Sequence, residues 1–150
     1  MSPKRNDILL EEMERIRLER GGILNPRDIV DEAEPEDSVL HPYFDWDDSS
    51  ASIKYRIWQA RQLIAEVTIF YHDREKVPAY ISIEPERHHG GGYRHIPEVM
   101  SDERLRRIAL EGAHRDYEVF RMKYERLNEL TPIFERAREV FQRLGLGKVL

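Results

Sequence analysis

SASIKYRIWQARQLIAEVTIFYHDREKVPAYISIE, residues 50–84, changes its apolar period midway, and that change decides the fold. At about 100° per residue, Ile57, Ala60 and Ile64 fall within about 40° of Ile53, with Leu63 close by. The spacing predicts a helix over 50–65 that buries this stripe. Beyond Ala65 the period drops to two. Val67, Ile69 and Tyr71 alternate with Thr68, Phe70 and His72 in the β-branched and aromatic pattern of a strand. DREK is the expected turn, and Val77, Ala79, Ile81 and Ile83 give the inner face of a returning strand, with Pro78 suited to an edge. The reading is a helix followed by a hairpin over 67–84.

Upstream, Ile8, Leu9, Met13, Ile16 and Leu18 recur at helical spacing from Asp7 to Arg20, and Gly21-Gly22 closes the pattern. Asn25-Pro26 reads as an N-cap followed by proline at the first helical position, opening a short helix to Ala33 with Ile29, Val30 and Ala33 inward. Residues 35–42 are expected to be irregular, with a single turn around SVLHPYF. Val39, Leu40, Tyr43, Phe44 and Trp46 are too apolar to be left in water. Downstream, RHHGGGYRHIPEVM reads as a glycine-rich connector, and a long helix starts near Ser101. Its stripe of Ala113, Tyr117, Phe120, Tyr124 and Leu127 steps by four and three. Thr131-Pro132 is the expected break, and Ile133, Phe134, Ala137, Val140, Phe141 and Leu144 continue the stripe in a shorter helix. That helix either folds back or runs nearly continuous, and GLGKVL is expected to fray.

The chain has 150 residues, the size of one domain with an appended arm, and 35% of them are charged. It holds no cysteine, which removes disulfides, thiolate catalysis and cysteine-bound zinc. No stretch has the apolar length of a signal peptide or a membrane span, so a cytoplasmic protein is expected. The net charge of −5 is unevenly placed: nine acids and no base lie between Arg27 and Lys54, and then Lys54, Arg56 and Arg61 follow with no acid from Ser49 to Ala65. Any attraction to nucleic acid must therefore come from a local patch.

The element order is that of a winged helix-turn-helix. The expected fold is α+β and mostly helical, with a winged-helix-like unit over 1–86, the connector at 87–100, and a helical arm over 101–150. In such a fold the third helix reads the major groove and the hairpin lies along the backbone. The expected nucleic-acid-binding residues are Lys54, Tyr55, Trp58, Gln59, Arg61 and Gln62 on the helix, Arg74 and Lys76 on the hairpin, and Arg87 and Arg94 in the connector. The competing structural reading rests Trp58 and Tyr55 on the C-terminal helices, and the acidic belt weighs against phosphate.

The run PEDSVLHPYFDWDDSSASIKYRIWQARQLI, preceded by GGILNPRDIVDEA, resembles a family of small uncharacterised proteins encoded in tailed phages and prophages, with its LHxxFxWDD core and YRxxQARxLI helix. The likeness is dense over 21–64 and thinner over 90–141. The family more often carries proline where Val39 stands, a departure that touches one turn. The resemblance implies a phage origin and action in the bacterial host cytoplasm. It brings no activity and no catalytic residues.

Other constellations are weak. Asp45, Asp47 and Asp48 have a calcium-loop look, but a loop starting at Asp45 would need Gly and Glu where Ser50 and Arg56 stand. His88, His89 and His95 lack the spacing of a metal site, and no nucleotide or nucleophile motif occurs. The expected protein is a non-enzymatic DNA-binding regulator or architectural protein without cofactor or metal, whose C-terminal arm either packs back on its own domain or forms a homodimer through 101–144. The alternative is an interaction or structural protein that binds a host factor or itself through its aromatic helices.

Overall fold

The computed structural model describes residues 2–47, 52–72, 75–83 and 91–147. The fold is α+β and mostly helical, and the chain divides into two compact units, Met1–Asp102 and Glu103–Leu150.

The first unit opens with α1 (Pro3–Glu19), which starts earlier than the apolar pattern suggests. Ser2 caps it by accepting the Arg5 N–H at 3.2 Å, and Pro3 takes the first helical position, where its missing N–H costs nothing. Leu9, Met13 and Ile16 are fully buried, each contributing about 1.5–3 kcal/mol. Gly21 and Gly22 end the helix with positive φ, a conformation that disfavours any side chain. Helix α2 (Pro26–Ala33) is capped by Asn25, whose side chain accepts the Arg27 N–H at 3.0 Å, and it buries Ile29 and Ala33. A 3₁₀ turn at His41–Tyr43 follows, with Leu40 and Phe44 in the core. Val39, by contrast, is half exposed, so it is not part of the packed loop.

Helix α3 (Ser52–Glu66) buries Ala60, Leu63 and Ile64. The expected stripe is corrected at its start, because Ile53 is 55% exposed and Ile57 is only half-buried. The buried residues of α3 all lie in its second half, and α2, which packs on it, is about 12 Å long against about 22 Å for α3. The α2–α3 connection occupies residues 34–51, far longer than the turn of about three or four residues in a helix-turn-helix.

Strands β1 (Thr68–Tyr71) and β2 (Glu75–Pro78) form the expected antiparallel hairpin, pairing Ile69 with Val77 and Phe70 with Lys76. Glu75 and Lys76, read as turn, lie in β2. The returning strand is not continuous. Pro78 ends the first ladder, the Ala79 N–H makes a last bond to the Val67 carbonyl at 2.9 Å, and the chain bends away. Strand β3 (Tyr80–Ile81) then pairs with β4 (Arg94–His95), and Tyr93 bridges to Leu24 through two backbone bonds of 2.8 and 2.7 Å. Residues 91–102, of connector composition, thus supply β4 and α4 (Ile96–Ser101) to the first unit. One core joins these elements: Leu9, Met13 and Ile16 of α1, Ile29 of α2, Ile64 of α3, and Val67 and Ala79 beside the hairpin.

The second unit is a helical hairpin. Helix α5 (Glu103–Tyr124) stops before the expected break, a 3₁₀ turn at Asn128–Leu130 reverses the chain, and α6 (Thr131–Arg143) carries Pro132 in its first turn. The helices are antiparallel: Tyr117 meets Phe134 and Phe141, His114 meets Phe141, and Arg107 donates to the Leu144 carbonyl at 2.7 Å, where the C-terminal dipole favours a cation. The GLGKVL end departs from fraying at Leu146, which is buried and donates its N–H to the Phe141 carbonyl at 2.7 Å. Residues 148–150 lie outside the described part.

Candidate interaction face on helix α3

The loop at Asp45–Asp47, the WD loop, is fastened to α3 by two side chains. Arg56 donates from Nε to the Asp45 carbonyl at 2.8 Å and from Nη2 to the Asp47 carbonyl at 2.9 Å, and its guanidinium lies 4.8 Å from the Trp46 ring centroid. Gln59 Oε1 accepts the Asp45 N–H at 3.1 Å. Trp46 in turn stacks on His41 with centroids 4.8 Å apart and donates its indole N–H to the His41 carbonyl at 2.9 Å. His41 Nδ1 donates to the Ala33 carbonyl at 2.9 Å, which fixes the protonated ring nitrogen. The FDW run is therefore a brace between the end of α2 and one side of α3, and it leaves the Asp45 and Asp47 side chains exposed.

That brace sets the borders of the outward face. Tyr55 and Trp58 stack at its centre, with ring centroids 5.7 Å apart and planes at 15°. Trp58 is 53% exposed. Gln62 lies beside them, exposed. Lys54 and Arg61, both exposed, form the border about 140–160° around the helix from Gln59. Arg61 also runs past Gly91, where a Cβ would stand 3.2 Å from its guanidinium. The face thus has an aromatic centre, a basic edge, and an acidic edge supplied by Asp45 and Asp47.

Of the residues expected to contact nucleic acid, Lys54, Tyr55, Trp58, Arg61 and Gln62 come together here. Gln59 has its oxygen committed to the WD loop. Lys76 sits on the hairpin with its ammonium 5.7 Å from the Phe70 ring centroid. Arg94 binds Glu98 at 2.9 Å within another cluster. Arg74 and Arg87 lie outside the described residues, as do Asp48, His88 and His89. The residue that sequence reasoning passed over is Arg56. Its position beside Gln59 on the helix wheel, next to an acidic aromatic loop, was the available signal.

Arg94 belongs to a clamp joining α1, β3, β4 and α4. The Glu14 carboxylate accepts Arg17 at 2.8 and 2.9 Å and the Tyr80 hydroxyl at 2.8 Å, with His95 Nε2 at 3.9 Å. Glu98 bridges Arg17 and Arg94. Burial would raise the Glu14 carboxyl, but the hydrogen bonds from Arg17 and Tyr80 prevail and hold it below its ordinary value. Burial, then the neighbouring Glu14 charge, pushes the Tyr80 hydroxyl far up and keeps it protonated. Burial lowers His95 in spite of Glu14, favouring the neutral ring. These shifts come from burial together with mutual pairing in a packed junction. Among the described residues, no group of three or more His, Asp or Glu side chains is arranged to hold a metal ion. No helix of the described chain is long and apolar enough to cross a membrane.

No family model, curated protein or solved structure matches this chain.

Proposed function

We propose that the protein is a non-enzymatic interaction module whose α3 face docks a protein partner, a host factor if the chain is phage-encoded. The observation that carries this reading is the exposed, stacked Tyr55–Trp58 pair between borders of opposite charge. Rigid aromatic side chains beside arginine are the residue types on which protein interfaces concentrate their binding energy. The partner's chemistry follows from the borders: an apolar socket for Trp58, carboxylates opposite Lys54 and Arg61, and a cation opposite Asp45 and Asp47. Capture from host extract with the parent and with a Tyr55→Ala, Trp58→Ala variant tests it. A discrete protein retained by the parent at high salt and lost by the variant is expected. An identical set of captured proteins would overturn the reading.

A second reading has its own support in the basic border. With α3 as reader, β1–β2 as wing and Lys54, Arg61, Gln62 and Lys76 as contacts, the first unit would bind DNA as a winged-helix-like regulator or architectural protein. Two features weigh against it: the long α2–α3 connection, and exposed carboxylates beside the helix that would meet phosphate. Gel shifts on fragments of the source genome at two salt concentrations separate the readings, since phosphate contacts weaken steeply with salt.

A further inference from the structure

The α3 face carries opposite charges on the two sides of one midline. At about 100° per residue, Arg61 and Lys54 fall about 80° and 100° around from Ile53, Trp58 at about 140°, Gln62 at about 180° and Tyr55 at about 200°. Asp45 and Asp47 come from the loop that Arg56 and Gln59 hold at the far edge, beyond about 240°. All of these residues belong to the first unit, and Lys54, Arg61, Asp45 and Asp47 are exposed. None of those four makes an ion pair with a described residue. The face therefore has a basic edge and an acidic edge, each without its counter-charge, about the two stacked rings.

We propose that this face pairs with the same face of a second copy of the chain, with the two α3 helices parallel about a two-fold axis that runs along them. A two-fold contact sets a patch against itself, so the patch must be its own complement. An axis along the helices exchanges left and right and keeps height, and the basic edge of each copy then meets the acidic edge of the other. An axis across the helices keeps left and right and sets Lys54 and Arg61 against their own equivalents. Like charges in contact are costly, which selects the parallel arrangement. Height matches as well: Lys54 and Arg61 stand about 10.5 Å apart along α3, and Arg56 and Gln59, which hold the acidic loop, lie between those two levels. The carboxylates of one copy thus arrive between the two cations of the other. At the centre, Trp58 lies on the basic side of the midline and Tyr55 on the acidic side, so the same axis sets each Trp58 beside the other copy's Tyr55.

This pairing rests on the reading of α3 as a docking face and names what docks there. A contact made by one helix face of about 22 Å is smaller than the roughly 1,200 Å² at which stable interfaces begin, so the pair is a weak one that forms and separates with concentration. Its charged edges fix the orientation more than they add to the affinity.

Sedimentation of the full chain over a rising concentration series, with charge-reversed variants mixed, tests the proposal. The mean mass of the parent should climb from the 17.9 kDa of one chain toward twice that value. Lys54→Glu with Arg61→Glu makes both edges acidic. Asp45→Asn with Asp47→Lys makes both edges basic and keeps the side-chain oxygen at position 45 that accepts the backbone N–H of residue 47. Each variant alone should stay a single chain where the parent pairs, and an equal mixture of the two should pair again. A photo-crosslinking amino acid at position 58 of the otherwise unaltered purified chain gives a check that does not depend on those variants, and should yield a species of twice the chain's mass. A parent that stays at single-chain mass and gives no such species overturns the proposal. So does a parent that pairs while the mixture, with both variants as helical as the parent by circular dichroism, pairs no better than either variant alone, which places the contact elsewhere. The docking reading fails separately: a crosslink from position 58 to a different protein in cells strikes only the second copy, whereas a crosslink to residues 103–147 of the same chain strikes both.

Discussion

The Asn6 side chain pairs with the backbone of Thr68 as a neighbouring strand would: Nδ2 donates to the Thr68 carbonyl and Oδ1 accepts the Thr68 N–H, both at 2.9 Å. Because both groups of Thr68 turn away from β2, its partner Pro78 stands where the ladder asks for no N–H. Helix α1 thus closes the start of the β1 edge. Asn6→Ala leaves two partly buried backbone groups without that partner. A loss of about 1–3 kcal/mol is expected, read as a lower urea midpoint at unchanged m-value. An unchanged midpoint would mean that water replaces the amide without cost.

Much of this first unit was legible because its signals are local. Asn25-Pro26 and Gly21-Gly22 mark helix ends through their own backbone chemistry, and Val67, Ile69 and Tyr71 keep the period of a strand wherever it packs. The break at Pro78 was half legible: proline announced an edge, but the hand-off to β4 depends on residues 94–95, which carry no strand period. Arg17 and Glu98 meet although 81 positions apart, and Gln59 is spent on Asp45, so a polar helix face read alone overcounts its available contacts. Ile53 and Ile57 fit the helical stripe, yet only its later members Ala60, Leu63 and Ile64 are buried, because a helical period shows which side faces inward and not how far along the helix the core extends.

Burial along α3 therefore predicts unequal costs. Ile64→Ala removes a fully buried side chain and should cost about 2–5 kcal/mol. Ile53→Ala, at an exposed site, should stay within about 0.5 kcal/mol. Chemical denaturation of both variants checks the ordering, and equal losses would show that the start of α3 is covered.

Arg56→Lys keeps the charge but loses the fork that reaches two carbonyls and the Trp46 ring. A destabilisation on the order of 1–2 kcal/mol is expected, with Trp46 emission shifting red as the WD loop loosens. Measurement in a Trp58→Phe background isolates that signal. A lysine variant matching its parent in both readouts would show the brace to be incidental.

Stability should fall on acidification in two steps. His95 is held below its ordinary value of 6.5, so the unfolded chain takes its proton first and stability is lost as pH falls below about 6.5. Glu14 is held below its ordinary value of 4.5, so a further loss follows as pH falls below that value. Melting temperature against pH, in the parent and in His95→Gln, reads the first step as the difference between the curves. A parent that gains stability between about pH 7 and 5.5 relative to His95→Gln would mean that a protonated His95 pairs with Glu14.

The α3 face is tested most directly by a photo-crosslinking amino acid placed at position 58 of the full chain and illuminated in cells that carry its gene. The account predicts a crosslinked species of discrete added mass that is destroyed by protease, resists nuclease, and disappears when Tyr55→Ala is added. Adducts that nuclease removes, and that Lys54→Ala with Arg61→Ala abolishes, would contradict it and make α3 a reader of nucleic acid.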